Sequence, residues 1–425
     1  MKTVRTDYLV IGAGLIGSSV TMALARLLTE DGCSDRVTLV DLDFSGEWSS
    51  SELNAGGVRA TWSQKINLLT SKLSIEYFAK HASRVGYRDC GYLWLHRPET
   101  WKTALAAREM HVANGWPVEV LDVPAIRKKV PFIDKTDDLA GALFAPRDGL
   151  VNPNGLKEHY REEALRANAT FFDGVWVTQS EASPRSEAHS PTGANTLNVR
   201  AFQFSSKLPS EAKKTLLTTN PETLGDEHGE WICFEAKTVI NCAGAWAPHL
   251  AKILGYACPS EPVRRQISLF HARDLDMTAY GMIVDPSGVY FHPEAIYGLA
   301  GFATPGEPAG FHFDYDGERF FEEHLWPALY ERSTAFESLK HVSGWAGLYE
   351  NSPDHHAIVG RAVGTRANVF EAHSFSGHGA MQSYAVGVAL AELMVKGRYE
   401  ALDLTELSAD RFQKGRALAN ESWVI

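Results

Sequence analysis

VIGAGLIG, Val10 to Gly17, sits between an apolar run, Tyr8 to Ile11, and a stretch opening with small residues, Ser18 to Leu28 (SSVTMALARLL). Strand, glycine turn and helix in that order form a dinucleotide-binding unit. The first glycine permits a tight bend, the second lets backbone approach a pyrophosphate, and the third lets the helix pack closely on its strand. Here these are Gly12, Gly14 and Gly17, with Leu15 and Ile16 completing the turn. The positive end of the helix then faces the phosphates. A second apolar run, Val37 to Val40, ends in Asp41, placed to accept the two ribose hydroxyls of an adenosine. The spacing from Gly17 is longer than usual, and the TEDGCSD turn, Thr29 to Asp35, absorbs the excess. Leu42 and Asp43 follow, Asp43 being a fallback for the same role. Read alone, the loop fits either NAD or FAD.

Two distant segments favour FAD. In KTVINCAGAWAP, Lys237 to Pro248, an apolar strand runs into an Ala-Gly-Ala turn whose backbone can pass close to a cofactor. Ala243, Gly244 and Trp246 belong to it. In FSGHGAMQSYAVGVALAELM, Phe375 to Met394, a strand ends in Gly377, His378 and Gly379 and a long helix follows. Such a helix aims its positive end into the turn. Two-electron reduction puts negative charge on a flavin's pyrimidine edge, which aligned N–H groups stabilise; a nicotinamide cofactor has no need of a third glycine turn.

Composition narrows the partners. The chain has 425 residues, 44% of them hydrophobic, enough for two or more domains. Its 41 basic and 52 acidic residues leave a net charge of -11, so no broad basic surface exists for nucleic acid. The five cysteines are scattered, with no CxxC pair and an odd total, which points away from zinc or a disulfide framework and toward a reducing compartment. No metal site is expected. No apolar run is long enough to span a bilayer. The start runs straight into a strand with no signal or transit pattern, so a cytoplasmic location is expected.

Further along, strands are expected at Tyr92 to Leu95, Ala169 to Val177 and Val369 to Phe375. Helices are expected at Thr100 to Asn114, Leu156 to Ala167 and Gln382 to Lys396. Runs at Thr238 to Asn241, Gln266 to Phe270 and Val289 to His292 suit a mixed sheet in a second domain. Ser180 to Glu230 is polar and reads as an inserted hairpin with mobile parts.

In order along the chain, VIGAGLIG, NAGGVR (Asn54 to Arg59), NCAGAW (Asn241 to Trp246) and FSGHG (Phe375 to Gly379) resemble the glycine and D-amino-acid oxidase superfamily, which includes the sarcosine oxidases. GVYFHPE (Gly288 to Glu294), WAGLYE (Trp345 to Glu350) and the last fifty residues resemble the branch holding the mitochondrial flavoprotein implicated in respiratory complex I assembly. The resemblance implies an α/β fold: an FAD-binding Rossmann-type (glutathione-reductase-like) domain with a discontinuous mixed-sheet substrate domain. The boundaries expected are 1–90, 146–262 and 343–425 for the FAD-binding domain, with the insertion at 180–230, and 91–145 and 263–342 for the substrate or cap domain.

The same resemblance puts Val177 at the adenine and Ser50, Ser51 and Asn54, with Ala55, Gly56 and Gly57, around the pyrophosphate and flavin. Arg59 lies over the ring as a cation favouring the reduced anion, while Ala243, Gly244, Trp246, Gly347, Gly377, His378, Gly379 and Met381 border the ring. In sarcosine oxidases an arginine and a lysine clamp the substrate carboxylate; here those positions are Trp62 and Met381, so sarcosine is a poor substrate guess. The cysteine that tethers flavin there corresponds to Gly347, which implies non-covalent FAD. An oxygen-activating lysine falls near Ala300, so an electron acceptor other than oxygen gains weight.

The catalytic candidates are Arg59, Tyr290, His292, Tyr349 and His378, with Glu350 beside Tyr349. Tyr290 and His292 lie two apart on one strand and share a face. The reaction expected is oxidation of the C–N bond of an amino acid or N-alkyl amino acid by hydride transfer to flavin N5. The alternatives are an assembly or interaction factor for a respiratory complex and a 2-hydroxy-acid dehydrogenase. Partners are a small amine or amino acid and oxygen or another acceptor; the oligomeric state is left open.

Overall fold

The computed structural model describes residues 1–182, 196–216, 219–365, 368–421 and 423. Strand β1 (Lys2–Ile11), helix α1 (Leu15–Glu30) and strand β2 (Val37–Val40) form the N-terminal unit. β1 lies centrally in the first sheet, parallel to β2 on one side and to Gly229–Asn241 on the other. Val369–His373 and Thr170–Phe172 extend it in parallel on either flank. All four residues of β2 are buried, as in a parallel strand covered on both faces.

Alternation along β1 assigns its two faces. Val10 packs into the main core with α1 and the C-terminal helix Gly379–Lys396, while Leu9 and Ile11 pack on the opposite side. Small residues let the two helices meet closely, since a Cβ on Gly387 would lie 2.3 Å from Ser19 Oγ. That opposite side is built from Val175–Ala182, Leu197–Phe204 and Gly229–Asn241, an antiparallel meander. The inserted hairpin is therefore present at its base, and within the 180–230 segment residues 183–195 and 217–218 lie outside the described residues. The Thr238–Asn241 run corrects the sequence reading: it ends a strand paired with β1 in the first sheet, not in the second. Its uniform burial resembles a strand of either sheet, and pattern alone does not choose between them.

The second sheet runs in the order Lys340–Asn351, Glu261–His271, Tyr297–Phe302, Tyr290–Glu294, Met282–Val284, Tyr92–His96, Gly141–Ala145, Glu119–Leu121. It is mixed, with Met282–Val284 parallel to Tyr92–His96 and the other pairs antiparallel. Lys340–Asn351 crosses the boundary placed at 342/343. One face of this sheet (Phe270, Ile283, Phe291, Ala300) packs into its own core with Phe320, Leu325 and Phe336. The other face (Ile267, Met282, Tyr290) turns toward the first domain. Between that face and the turns of the first sheet lies the site. Among the described residues no helix is long and apolar enough to cross a membrane.

Candidate functional site

A continuous cavity of roughly 340 Å³ runs from the Gly12–Gly14 turn to the face of the second sheet carrying Tyr290. At the first end, Gly12 adopts φ +106°, and a Cβ there would lie 2.3 Å from the Cys242 carbonyl oxygen, so backbone alone fits. Gly17 does not line the cavity; a Cβ there would collide with the Gly12 carbonyl, so its role is close packing of α1 on β1. The α1 N-terminus has no side-chain cap from Gly14, and Leu15 N donates to Ser51 Oγ at 2.9 Å.

Asp41 lies in the wall, its carboxylate accepting from Ala13 N at 2.5 Å and Asp43 N at 3.0 Å. Burial raises its pKa, against the pull of those N–H groups. Asp43 is committed elsewhere. It pairs with Lys213 Nζ, which also reaches Glu47 at 2.8 Å. Burial would raise the Asp43 pKa, but the Lys213 bond overrides it and brings it to about 2. Lys213 comes from the helix Ser210–Thr215 of the insertion, and with Lys214 and Leu216 it closes this end of the cavity. Lys157 and Arg161, from the helix Pro153–Arg166, also line it, Arg161 donating to the Ala13 and Phe44 carbonyls. These four cations had no signal in the sequence beyond buried charge on otherwise polar helices.

Further along, Leu42, Ser50, Ser51, Asn54, Ala55, Gly57, Val177, Ala243, Gly244, Trp246, Gly347, Gly377, Gly379 and Met381 all line the cavity; Gly56 does not. Ser50 Oγ donates to Leu348 O at 2.6 Å, and Asn54 Oδ1 accepts from Gly56 N at 2.6 Å, which shapes the NAGG bend. The entry to the FSGHG turn is strained: Ser374, just before it, and Ser376, within it, adopt φ +61° and +50°, the left-handed region that non-glycine residues avoid. Such conformations cluster at functional sites.

The far end gathers Arg59, Trp62, Tyr92, Tyr290, Tyr349, Glu350 and His378. The buried Arg59 guanidinium lies 3.5 Å from the Trp62 ring centroid and 4.8 Å from that of Trp94, and donates to the Thr61 and Trp423 carbonyls. Burial lowers its pKa to about 10, which leaves it a cation at neutral pH. Among the described residues no carboxylate lies within 4.0 Å of it. His378 packs on Trp62 with centroids 4.2 Å apart, and neither of its buried ring nitrogens has a partner. Burial, then the Arg59 charge, holds its pKa well below 6.5, so the ring is neutral. Burial raises both tyrosine pKa values, so Tyr290 and Tyr349 act as O–H donors. Glu350 is pushed up to about 7 by burial, against the Phe375 N–H and the charge of His373.

Besides Gly17 and Gly56, one catalytic candidate is placed differently from the sequence reading. His292 does not line the cavity: its Nδ1 bonds the Pro293 carbonyl at 2.9 Å and burial lowers its pKa to about 4. It shares a strand face with Tyr290, but the cavity ends short of it. Ala300 faces the second core, so that position offers no group to the cavity.

A family model described as FAD dependent oxidoreductase, DAO, matches residues 7–393. The chain belongs to the DAO family. It is 28% identical over 440 residues to FAD-dependent oxidoreductase domain-containing protein 1 of Bos taurus, covering 97% of this chain and 85% of that protein. Mitochondrial dimethylglycine dehydrogenase of Mus musculus is 23% identical over 440 residues, 96% of this chain and 44% of the longer relative. The solved L-proline dehydrogenase from P. horikoshii superposes with a TM-score of 0.80 at 20% identity, covering 98% of this chain and 100% of that one, and shares its fold.

The walls fit the cofactor of the DAO family. The glycines of the first turn let backbone approach a pyrophosphate beside the α1 N-terminus, where Asp41 would border the ribose, and the orphaned His378 nitrogens and the N-terminus of Gly379–Lys396 would face the flavin ring. Gly347 carries no side chain to tether a flavin, so that position would hold FAD without a covalent bond.

Proposed function

We propose that this FAD-dependent oxidoreductase oxidises the C–N bond of an amino acid or N-alkyl amino acid to an imine, which water hydrolyses. The observation that carries the reading is the pairing of the unpartnered, neutral His378 with the unpaired cation Arg59 at the ring end of the cavity. FAD supplies the hydride acceptor when bound. Arg59 favours negative charge developing on the ring side of the cavity. Two cations, Arg59 and Arg265, border a pocket whose acid, Glu350, is raised to about 7, so an ammonium is disfavoured and the amine enters neutral. The substrate leaves its proton in solvent on entry. A neutral His378 ring and the Tyr290 hydroxyl then orient the amine nitrogen and aim its α C–H at the flavin. The relatives named for dimethylglycine and L-proline support this class of substrate.

Steady-state turnover of N-methyl, secondary and primary amino acids with an artificial electron acceptor tests the reading. The expected product is a carbonyl compound trapped as its hydrazone, together with released amine or ammonia. Turnover of 2-hydroxy acids alone would replace it with the hydroxy-acid reading.

A further inference from the structure

We propose that Arg265 anchors the substrate carboxylate, and that the second sheet, not the glycine-turn side, thereby restricts this chain to α-carboxylate substrates. The inference rests on the C–N oxidation reading of the same cavity.

The strand Glu261–His271 carries adjacent arginines, and adjacent strand residues face opposite sides. Arg264 points away from the cavity and is fully engaged: Nε lies 2.7 Å from Glu307, Nη2 3.1 Å from Asp316, and Nη1 2.6 Å from the Asp314 carbonyl. Arg265 points into the cavity. Its hydrogen bond among the described residues runs from Nη1 to the Arg264 carbonyl at 2.9 Å, its Nε is buried with no acceptor, and no described carboxylate lies within 4.0 Å. A guanidinium offers five donors in a planar fork that matches a carboxylate. The Arg59 fork, by contrast, is spent on two backbone carbonyls between two indoles.

Register explains why the space before Arg265 is open. Arg265 pairs with Gly347 across the ladder, and Val263 with Tyr349, so the residue directly opposite contributes no side chain. The Arg265 guanidinium lies 5.1 Å from the Tyr349 ring centroid, and the Tyr349 hydroxyl bonds no described residue. Arg265 and Tyr349 therefore form a donor pair on one wall. Trp62 and Met381, which also line the cavity, carry no charge to hold a carboxylate. An anchor on the second sheet leaves the amine end of the substrate toward His378.

The test is a spectral titration of FAD-loaded protein with methoxyacetate and benzoate, each compared with its neutral amide. Arg265→Met and Arg265→Gln should weaken carboxylate binding roughly 10- to 100-fold and leave the amides unchanged. Arg265→Lys should recover part of the loss. Arg264→Met removes an equal charge from the outward face and should shift the carboxylate Kd less than about twofold. Two variants at Arg265 guard against one of them failing to load flavin. Carboxylate binding equal in wild type and both neutral variants overturns the anchor, as does failure of wild type to bind any carboxylate. Either result, with amino-acid turnover intact, leaves the C–N reading standing. Tight carboxylate binding through Arg265 with no turnover of any amine overturns that reading instead.

Discussion

Replacing Lys213 with methionine keeps an apolar stem and removes the charge that ties the inserted helix Ser210–Thr215 to Asp43 and Glu47. Against burial, the Lys213 bond, with Ser45 and Lys207, brings the Asp43 pKa to about 2 from its ordinary 3.8, roughly two pK units, or about 2.5 kcal/mol shared among these partners. Both side chains are largely buried, at 5% and 12% exposure, yet they border an open cavity, so screening reduces the figure to about 1–2 kcal/mol. The Asp43 pKa is depressed, so the contribution is complete above 3.8 and is lost as pH falls toward about 2. Assays near neutral pH see all of it. If closure of the insertion retains the cofactor, Lys213→Met should raise the FAD dissociation constant about 10-fold. Recovery of free-flavin fluorescence after dilution measures it directly. FAD release within twofold of wild type, with native circular dichroism, would refute the idea that the insertion closes the adenosine end.

Gly12→Ala should yield protein without flavin, because its Cβ would lie 2.3 Å from the Cys242 carbonyl at φ +106°, costing on the order of 3 kcal/mol; the flavin-to-protein absorbance ratio reads it. Arg59→Met should move the flavin midpoint potential negative by about 30–60 mV, with Arg59→Lys recovering part of the shift, in a dye-coupled reduction. Glu350 has its folded pKa raised from 4.5 to about 7, so its contribution is complete below 4.5 and is lost as pH rises through about 7. Glu350→Gln should therefore stabilise the protein at alkaline pH by up to about 3 kcal/mol and change little in acid, as melting temperatures across pH would show.

The glycine turns were legible because their chemistry is local: Gly12, Gly14, Ala243, Gly244 and Gly377 line one cavity although they are far apart in the chain. What periodicity gives is a face, not an extent. Tyr290 and His292 share a side of their strand, yet the cavity reaches only the first, and His292 turns to a carbonyl. Nor does an apolar run name its sheet, and Thr238–Asn241 joined β1 because its neighbours fit the parallel register. Lys157, Arg161 and Lys213 were invisible for a different reason, since each reaches the site from a helix whose own pattern is that of a polar surface. The two adjacent arginines look equivalent in sequence. Only the fold separates them: Arg264 turns outward to Glu307 and Asp316, while Arg265, opposite Gly347, faces the cavity.

The central claim is that this cavity oxidises an amine through FAD, and anaerobic titration of the flavin-loaded protein tests it most directly. Adding a substrate amino acid with an α C–H should bleach the visible flavin band completely, and admitting an electron acceptor should restore it. A band that persists through primary, secondary and N-methyl amino acids, while dithionite still bleaches it, would contradict the account.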